Sequence, residues 1–201
     1  VTPLMCPPPR LERLPALLEQ SAALHRHLCP RQVLGARIGL LAGEWLGLDF
    51  PRSDKRVLVF VETDGCFADG VSVASGGWLG RRTMRLVDHG KVAATFVDTK
   101  TGRAVRVAPR SDLRARVREG RPDGQKRWDA YMAAYQTWPD EALFTVQPVR
   151  LTLDLAALIS VAGVRTVCGR CGEEIVNGRE VMLCGETLCR DCAGQRYWEP
   201  G

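Results

Sequence analysis

The chain has 201 residues, 45% of them hydrophobic, which is enough for one substantial core and a small appendage. Its 28 Lys and Arg against 23 Asp and Glu leave a formal charge of +5, an excess that accommodates an anionic partner without demanding nucleic acid. No run approaches about 18 apolar residues, and "VTPLMCPPPRLERL" lacks a basic segment followed by a long apolar one, so neither a membrane-spanning helix nor a signal peptide is expected.

The first nine residues hold four prolines and read as loose. Pro15 suits the first turn of a helix, and "ALLEQSAALHRH" after it has helical spacing. Pro30 opens a second helix through "RQVLGARIGLLAGEWLG", with Val33, Leu34, Ile38, Leu41 and Leu46 on its apolar face. Gly35, Gly39 and Gly43 recur every fourth residue there, at a propensity cost of roughly 1 kcal/mol each, which favours close packing on another element. "RVLVFVET" reads as a buried strand. "CFADGVSVAS" follows as a helix entered at Cys66 and ended by Gly76 and Gly77. "TMRLVDHG" and "KVAATFVDTKTGRAVRV" supply three short strands, with a hairpin turn over Asp98 to Gly102. Arg106 alternates with Val105 and Val107 and should face away from the core. "RSDLRARVREG" and "QKRWDAYMAAY" are helix candidates, "LFTVQPVRLTL" a last strand, and "DLAALISVAG" a helix or linker. The fold class expected is α+β, with helices on one face of a largely antiparallel sheet over residues 10–163. A small cysteine-rich domain follows over 164–198.

That small domain carries the most specific signal. Cys6, Cys29 and Cys66 are scattered, whereas "CGRC" (Cys168, Cys171) and "CRDC" (Cys189, Cys192) are paired. Two thiolate pairs closing one loop can complete a tetrahedral structural Zn²⁺ site. A knuckle, a small hairpin and a short helix entered at the second pair would make a treble-clef zinc finger. Cys184 could replace one of the four, and an iron–sulfur cluster is the other alternative. Metal-type spacing instead of scattered disulfide spacing places the protein in the cytoplasm.

A second constellation lies in "LHRHLCPRQVLG". With Pro30 as the first helical residue, Cys29 sits near the N-cap, where free N–H groups and the helix dipole favour thiolate. His25 and His27 approach from the preceding turn. The set suits a soft metal, a nucleophile with its base, or an ordinary helix junction. "VETDGCFADG" gathers Glu62, Asp64, Cys66 and Asp69 where a strand ends and a helix begins. Asp64 or Glu62 could ligate, orient an imidazole or act as a base, or Asp64 could simply cap the helix.

"LHRHLCPRQVLGARIG", "VETDGCFADGVSVASGG" and "DHGKVAATFVDTKTGRAVRV" together resemble the FmdE-like family, named for a component of formylmethanofuran dehydrogenase. The four-cysteine segment resembles the treble clef that many members carry. The chain departs from the family pattern at Arg26 and Arg31, where Gly is usual. The resemblance implies an α+β core with a metal-binding or catalytic cleft, often in a homodimer. It matches His25, His27, Cys29, Asp64 and Cys66 to motif residues, and Lys91 resembles a family residue that could face an anionic ligand or simply sit in a solvated turn. The dehydrogenase behind the family name is a molybdenum or tungsten enzyme of one-carbon metabolism.

On this basis a second divalent metal (Zn, Fe or Ni) is expected in the core, held by His27, Cys29 and Cys66 with one position open for water or substrate. His25 or Asp64 would accept a proton, so that Cys29, His25, Asp64 and Cys66 form the catalytic set. The glycine-spaced helix and the tryptophans offer dimer surfaces. Trp45, Trp78 and Phe67 could line a pocket for an organic cofactor beside the metal. The competing reading is a regulatory or adaptor protein whose finger binds nucleic acid or a protein partner. "RARVREGRPDGQKRW" is its basic segment, but acidic residues interrupt it and no aromatic-studded basic groove is legible.

Overall fold

The computed structural model describes residues 10–159, 163–199 and 201. The expectation for the proline-rich first nine residues lies outside them. Two compact units divide between Thr152 and Leu153, the second beginning ahead of the expected boundary at 164.

The first unit opens with a 3-10 turn and two helices, α1 (Leu14–His25) and α2 (Pro30–Leu46). Pro15 and Pro30 occupy first-turn positions, where no intrahelical donor is lost. Next come β1 (Val57–Val61), α3 (Cys66–Ser75), β2 (Met84–Leu86), β3 (Ala94–Asp98) and β4 (Ala104–Pro109). The unit continues with α4 (Leu113–Glu119), α5 (Arg127–Thr137), α6 (Asp140–Leu143) and β5 (Phe144–Val149). The sheet order is β2-β1-β3-β4-β5. The three pairs from β1 to β5 are antiparallel, whereas β1 and β2 run parallel. The sheet is therefore mixed. The parallel pair follows from α3, which carries the chain back across the sheet and returns it in the same direction.

β1 is buried on both faces, which explains its unbroken apolar run. Val57, Val59 and Val61 join Phe96, Val105 and Val107 against the helices. Leu58 and Phe60 point the other way by strand alternation and are also buried. β5 ends the sheet, and Pro148 is tolerated in it because an edge strand leaves one row of amides unpaired. The β3–β4 turn is built around Asp98. Its carboxylate accepts from Lys100 N (3.0 Å) and Thr101 Oγ1 (2.9 Å) and pairs with Arg56 at 3.1 Å.

The glycines of α2 meet α3. A Cβ on Gly35 would lie 2.3 Å from Phe67 O, and one on Gly70 would lie 2.3 Å from Gln32 O. Only bare backbone fits on either side of that crossing. This face is covered within the chain and cannot serve as the dimer surface that its spacing suggested. Arg37, on another face of α2, is fully buried and caps the end of α5 by donating to Tyr135 O, Gln136 O and Trp138 O at 2.9–3.1 Å. It also pairs with Asp140 at 2.6 Å.

The second unit contains α7 (Leu155–Ile159) and two hairpins, β6 (Arg165–Val167) with β7 (Glu174–Val176) and β8 (Val181–Leu183) with β9 (Glu186–Leu188). A single π-helical turn over Asp191–Gln195 follows, shorter than the helix read from the sequence. No described helix is long and apolar enough to cross a membrane.

Candidate metal centre

The Gly35–Gly70 crossing fixes the site, because it lies close to the first residues of both helices. Cys29 is the N-cap of α2 and Cys66 the first residue of α3. Both thiols line one cavity. Cys29 is held from behind by Gln32, whose Oε1 accepts from Cys29 N at 2.6 Å. The Gln32 amide in turn donates to Ser21 O and Oγ on α1, at 3.0 and 2.9 Å. The start of α2 is thus pinned to the helix that ends at His25.

His25 is the last residue of α1. Its Nδ1 lies 2.9 Å from Asp69 Oδ2 and its Nε2 lies 3.1 Å from Cys66 Sγ. A carboxylate on Nδ1 keeps the proton there and turns the Nε2 lone pair toward the thiol. Arg26 then takes a left-handed conformation, φ +62°, which folds the chain back and leaves the His25 and His27 rings 4.6 Å apart. Ligand atoms of His25, His27 and Cys66 all lie within 4.8 Å of one another. Burial first, then the Cys29 thiol, push the Cys66 thiol up, and the charge of Arg31 opposes them.

His27, Cys29 and Cys66 line one cavity of about 690 Å³. His25 takes a place in the donor group that the sequence reading gave to Cys29, which lies beside it. Asp64 is exposed, belongs neither to that group nor to the cavity wall, and does not cap α3, whose N-cap is Gly65. Lys91 is exposed as well, and the cations that line the cavity are arginines. Glu62 is committed elsewhere. Arg106 grips both its oxygens, at 2.6 and 2.8 Å, and holds its carboxyl below the usual range. Phe67 is core, and Trp45 and Trp78 pack against that core, so none forms the aromatic wall expected of them. Trp128, Tyr131 and Tyr135 of α5 form it instead. Their spacing is helical, and that spacing is the signal that could have found them. Asp69 was visible as a carboxylate near Cys66, but only the fold aims it at His25.

In the second unit Cys168, Cys171, Cys189 and Cys192 have their sulfurs within 4.8 Å of one another. Cys171 Sγ and Cys189 Sγ are 3.9 Å apart, against about 3.8 Å for the edge of a tetrahedron with zinc–sulfur bonds of roughly 2.3 Å. Backbone N–H groups of Cys171 and Cys189 point at the Cys168 sulfur and hold that thiol at about 6. Burial and the neighbouring sulfurs push Cys192 up to about 12. Thiols crowded this closely resist becoming thiolates together, and a divalent cation relieves that repulsion. Cys184 is outside the group. It forms the β8–β9 turn with Gly185, at φ +50° and +82°.

The sequence profile of the FmdE family, described as "FmdE, Molybdenum formylmethanofuran dehydrogenase operon", matches residues 24–145. The chain belongs to the FmdE family. The matched stretch contains the His/Cys group and the cavity but not the four-cysteine unit. A curated relative, the probable S-adenosyl-L-methionine-binding protein of Archaeoglobus fulgidus, is 37% identical over 98 residues, covering 47% of this chain and 27% of that protein. The match therefore spans about a quarter of the relative's length. An FmdE-like protein of tungsten formylmethanofuran dehydrogenase type from Syntrophus aciditrophicus shares the fold, with a TM-score of 0.62 at 19% identity, over 92% of this chain and 95% of that one.

The two departures from the FmdE pattern now have places. Arg26 occupies a left-handed position that Gly fills without a Cβ penalty. Arg31 puts a guanidinium in the wall of the cavity close to Cys66.

Proposed function

We propose that this FmdE protein binds a divalent metal through His25, His27 and Cys66, with Cys29 beside them, and presents it to a small anionic molecule in the adjoining cavity. The observation that carries the reading is the His25 geometry: carboxylate on one ring nitrogen, thiol on the other. Two imidazoles and a thiolate suit zinc, iron or nickel, and an ion there would supply Lewis acidity at the inner end of the cavity. Asp69 orients His25 and retains its Nδ1 proton, and Cys29 is the adjacent unused donor. For the four-cysteine unit we infer a structural zinc in a treble-clef arrangement, supported by the sulfur spacing and the paired hairpins. The family's description supports an accessory place beside a molybdenum or tungsten one-carbon oxidoreductase. S-adenosyl-L-methionine, named for the Archaeoglobus relative, offers a carboxylate that arginines bind but carries a net positive charge that an arginine-lined cavity disfavours. We rank it below an anion.

Metal quantification tests the assignment. Metal-replete wild type should hold two equivalents and Cys66→Ser one. Asp69→Asn should keep the core metal with an affinity weaker by about 10–100-fold. Wild-type protein that retains metal only at the four cysteines would overturn the core site.

A further inference from the structure

The charged side chains of the cavity beside the His/Cys group all carry the same sign. Arg31, Arg110, Arg114 and Arg127 line it, and no carboxylate does. Arg110 is partly answered by Asp112 at 3.2 Å, and Arg114 lies over the Tyr131 ring at 5.5 Å. Among the described residues, Arg31 and Arg127 have no acidic partner within ion-pair distance. Arg31 belongs to the first turn of α2 and Arg127 opens α5, so the positive ends of both helices add to the same field. Like charges gathered around a concave wall repel one another unless an anion occupies it.

The second wall is aromatic. Tyr131 is flanked by Arg114 and by Tyr135, whose ring stacks at 5.6 Å. Trp128 is 50% exposed, three residues before Tyr131 on α5, and among the described residues no ring contact is made by it. A half-exposed indole in the wall of a cavity, with an open face, is a stacking platform. Arginine forks bind phosphate and carboxylate alike in bidentate fashion.

We propose that the cavity binds a flat aromatic ring carrying a phosphate or carboxylate group, with the ring on Trp128 and the anion between Arg31 and Arg127. This deepens the metal-site reading and rests on it for the role of the inner end. A volume of about 690 Å³ admits a mononucleotide-sized molecule.

Calorimetric titration of the metal-loaded full chain tests it with four probes. Adenosine 5′-monophosphate and naphthalene-2,6-dicarboxylate combine ring and anion. Adenosine supplies the ring alone and pyrophosphate the anion alone. At least one combined probe should bind about tenfold or more tighter than either part, and the tighter of the two identifies the anionic group. Arg127→Gln and Trp128→Ala, both at exposed positions, should each weaken that binding about tenfold without changing metal content. Arg127→Lys should recover part of the loss, and added salt should weaken binding. Combined probes that bind no tighter than their parts, or affinity indifferent to both substitutions, overturn the proposal. Metal is counted on the same samples. Arg127- and Trp128-dependent binding without a core metal would keep this proposal and sink the metal reading. Two metal equivalents without such binding would do the reverse.

Discussion

At the scale of single residues, the chain separates cysteines that share a spacing pattern but not a role. Cys184 lies five residues before Cys189 and is one of the five cysteines crowded into the C-terminal segment, so spacing alone makes it a candidate ligand. Two successive positive φ values at Cys184 and Gly185 make it the first residue of a two-residue hairpin turn of the primed kind, which Asn-Gly prefers. Cys184→Asn should therefore retain the zinc and raise stability by about 0.5 kcal/mol, since Asn tolerates the left-handed region better than Cys. Thermal melting with zinc counting checks this, and zinc loss would move Cys184 into the ligand set. Asp98 supplies a second residue-scale test. Arg56, then the turn donors Lys100 N and Thr101 Oγ1, hold its carboxyl at about 2, below its ordinary 3.8. A depressed carboxylate contributes stability that is complete above the unfolded pKa and is lost as pH falls through the folded one. The contribution, about 2 kcal/mol, should disappear between about pH 4 and pH 2. Asp98→Asn should flatten that part of the acid-stability curve, and an unchanged slope would remove Asp98 as its source.

At the scale of elements, the glycine spacing of α2 was legible and its partner was not. Periodicity announces a narrow face but does not say what lies against it. The partner is α3, and the contact explains how two cysteines 37 positions apart come to line one cavity. Gly70→Ala would drive a Cβ to 2.3 Å from Gln32 O and 3.0 Å from Ala36 N. Neither is a flexible side-chain end, so the helices must separate. The expected loss is about 2–3 kcal/mol from overpacking, despite a helix-propensity gain of roughly 1 kcal/mol. The core metal should bind more weakly in parallel. Gly80→Ala, at a position with nothing within 4 Å, is the control and should stay within about 0.5 kcal/mol. Equal urea midpoints for the two variants would refute the close-crossing account. The same limit on sequence reading explains Arg37 and α5. A cation inside an apolar helix face has no meaning until the carbonyls at the end of α5 are brought to it. Likewise "RARVREGRPDGQKRW" reads as solvated charge until α4 and α5 turn three of its residues, Arg114, Arg127 and Trp128, into a cavity wall.

At the scale of the whole molecule, the two units differ in the apolar core they bury. The first has a continuous apolar core built from its helices and the sheet. In the second, the buried cluster among the described residues is Cys168, Ile175, Leu188 and Cys192, two of which are apolar side chains and two are thiols. So small a cluster cannot offset the conformational entropy of its loops, and a bound metal would supply most of the folding free energy there. The four-cysteine group itself was readable in advance, because paired cysteines in a short polar segment have the spacing of metal ligands. The parallel β1–β2 pair was not, since strand direction is set by where α3 delivers the chain and not by any property of β2 itself. Chelation of the intact protein should then act unequally. Limited proteolysis after complete metal removal should cut within 163–199, while a fragment ending near Thr152 keeps a cooperative melt. The core site should lose its ion in the same treatment with little change in that melt, because Gln32, Asp69 and the Gly35–Gly70 contact hold its donors in place from outside the metal. Persistent protease resistance of the second unit without metal would refute metal-dependent folding. Collapse of the first unit on chelation would show instead that the His/Cys ion is part of that unit's structural core.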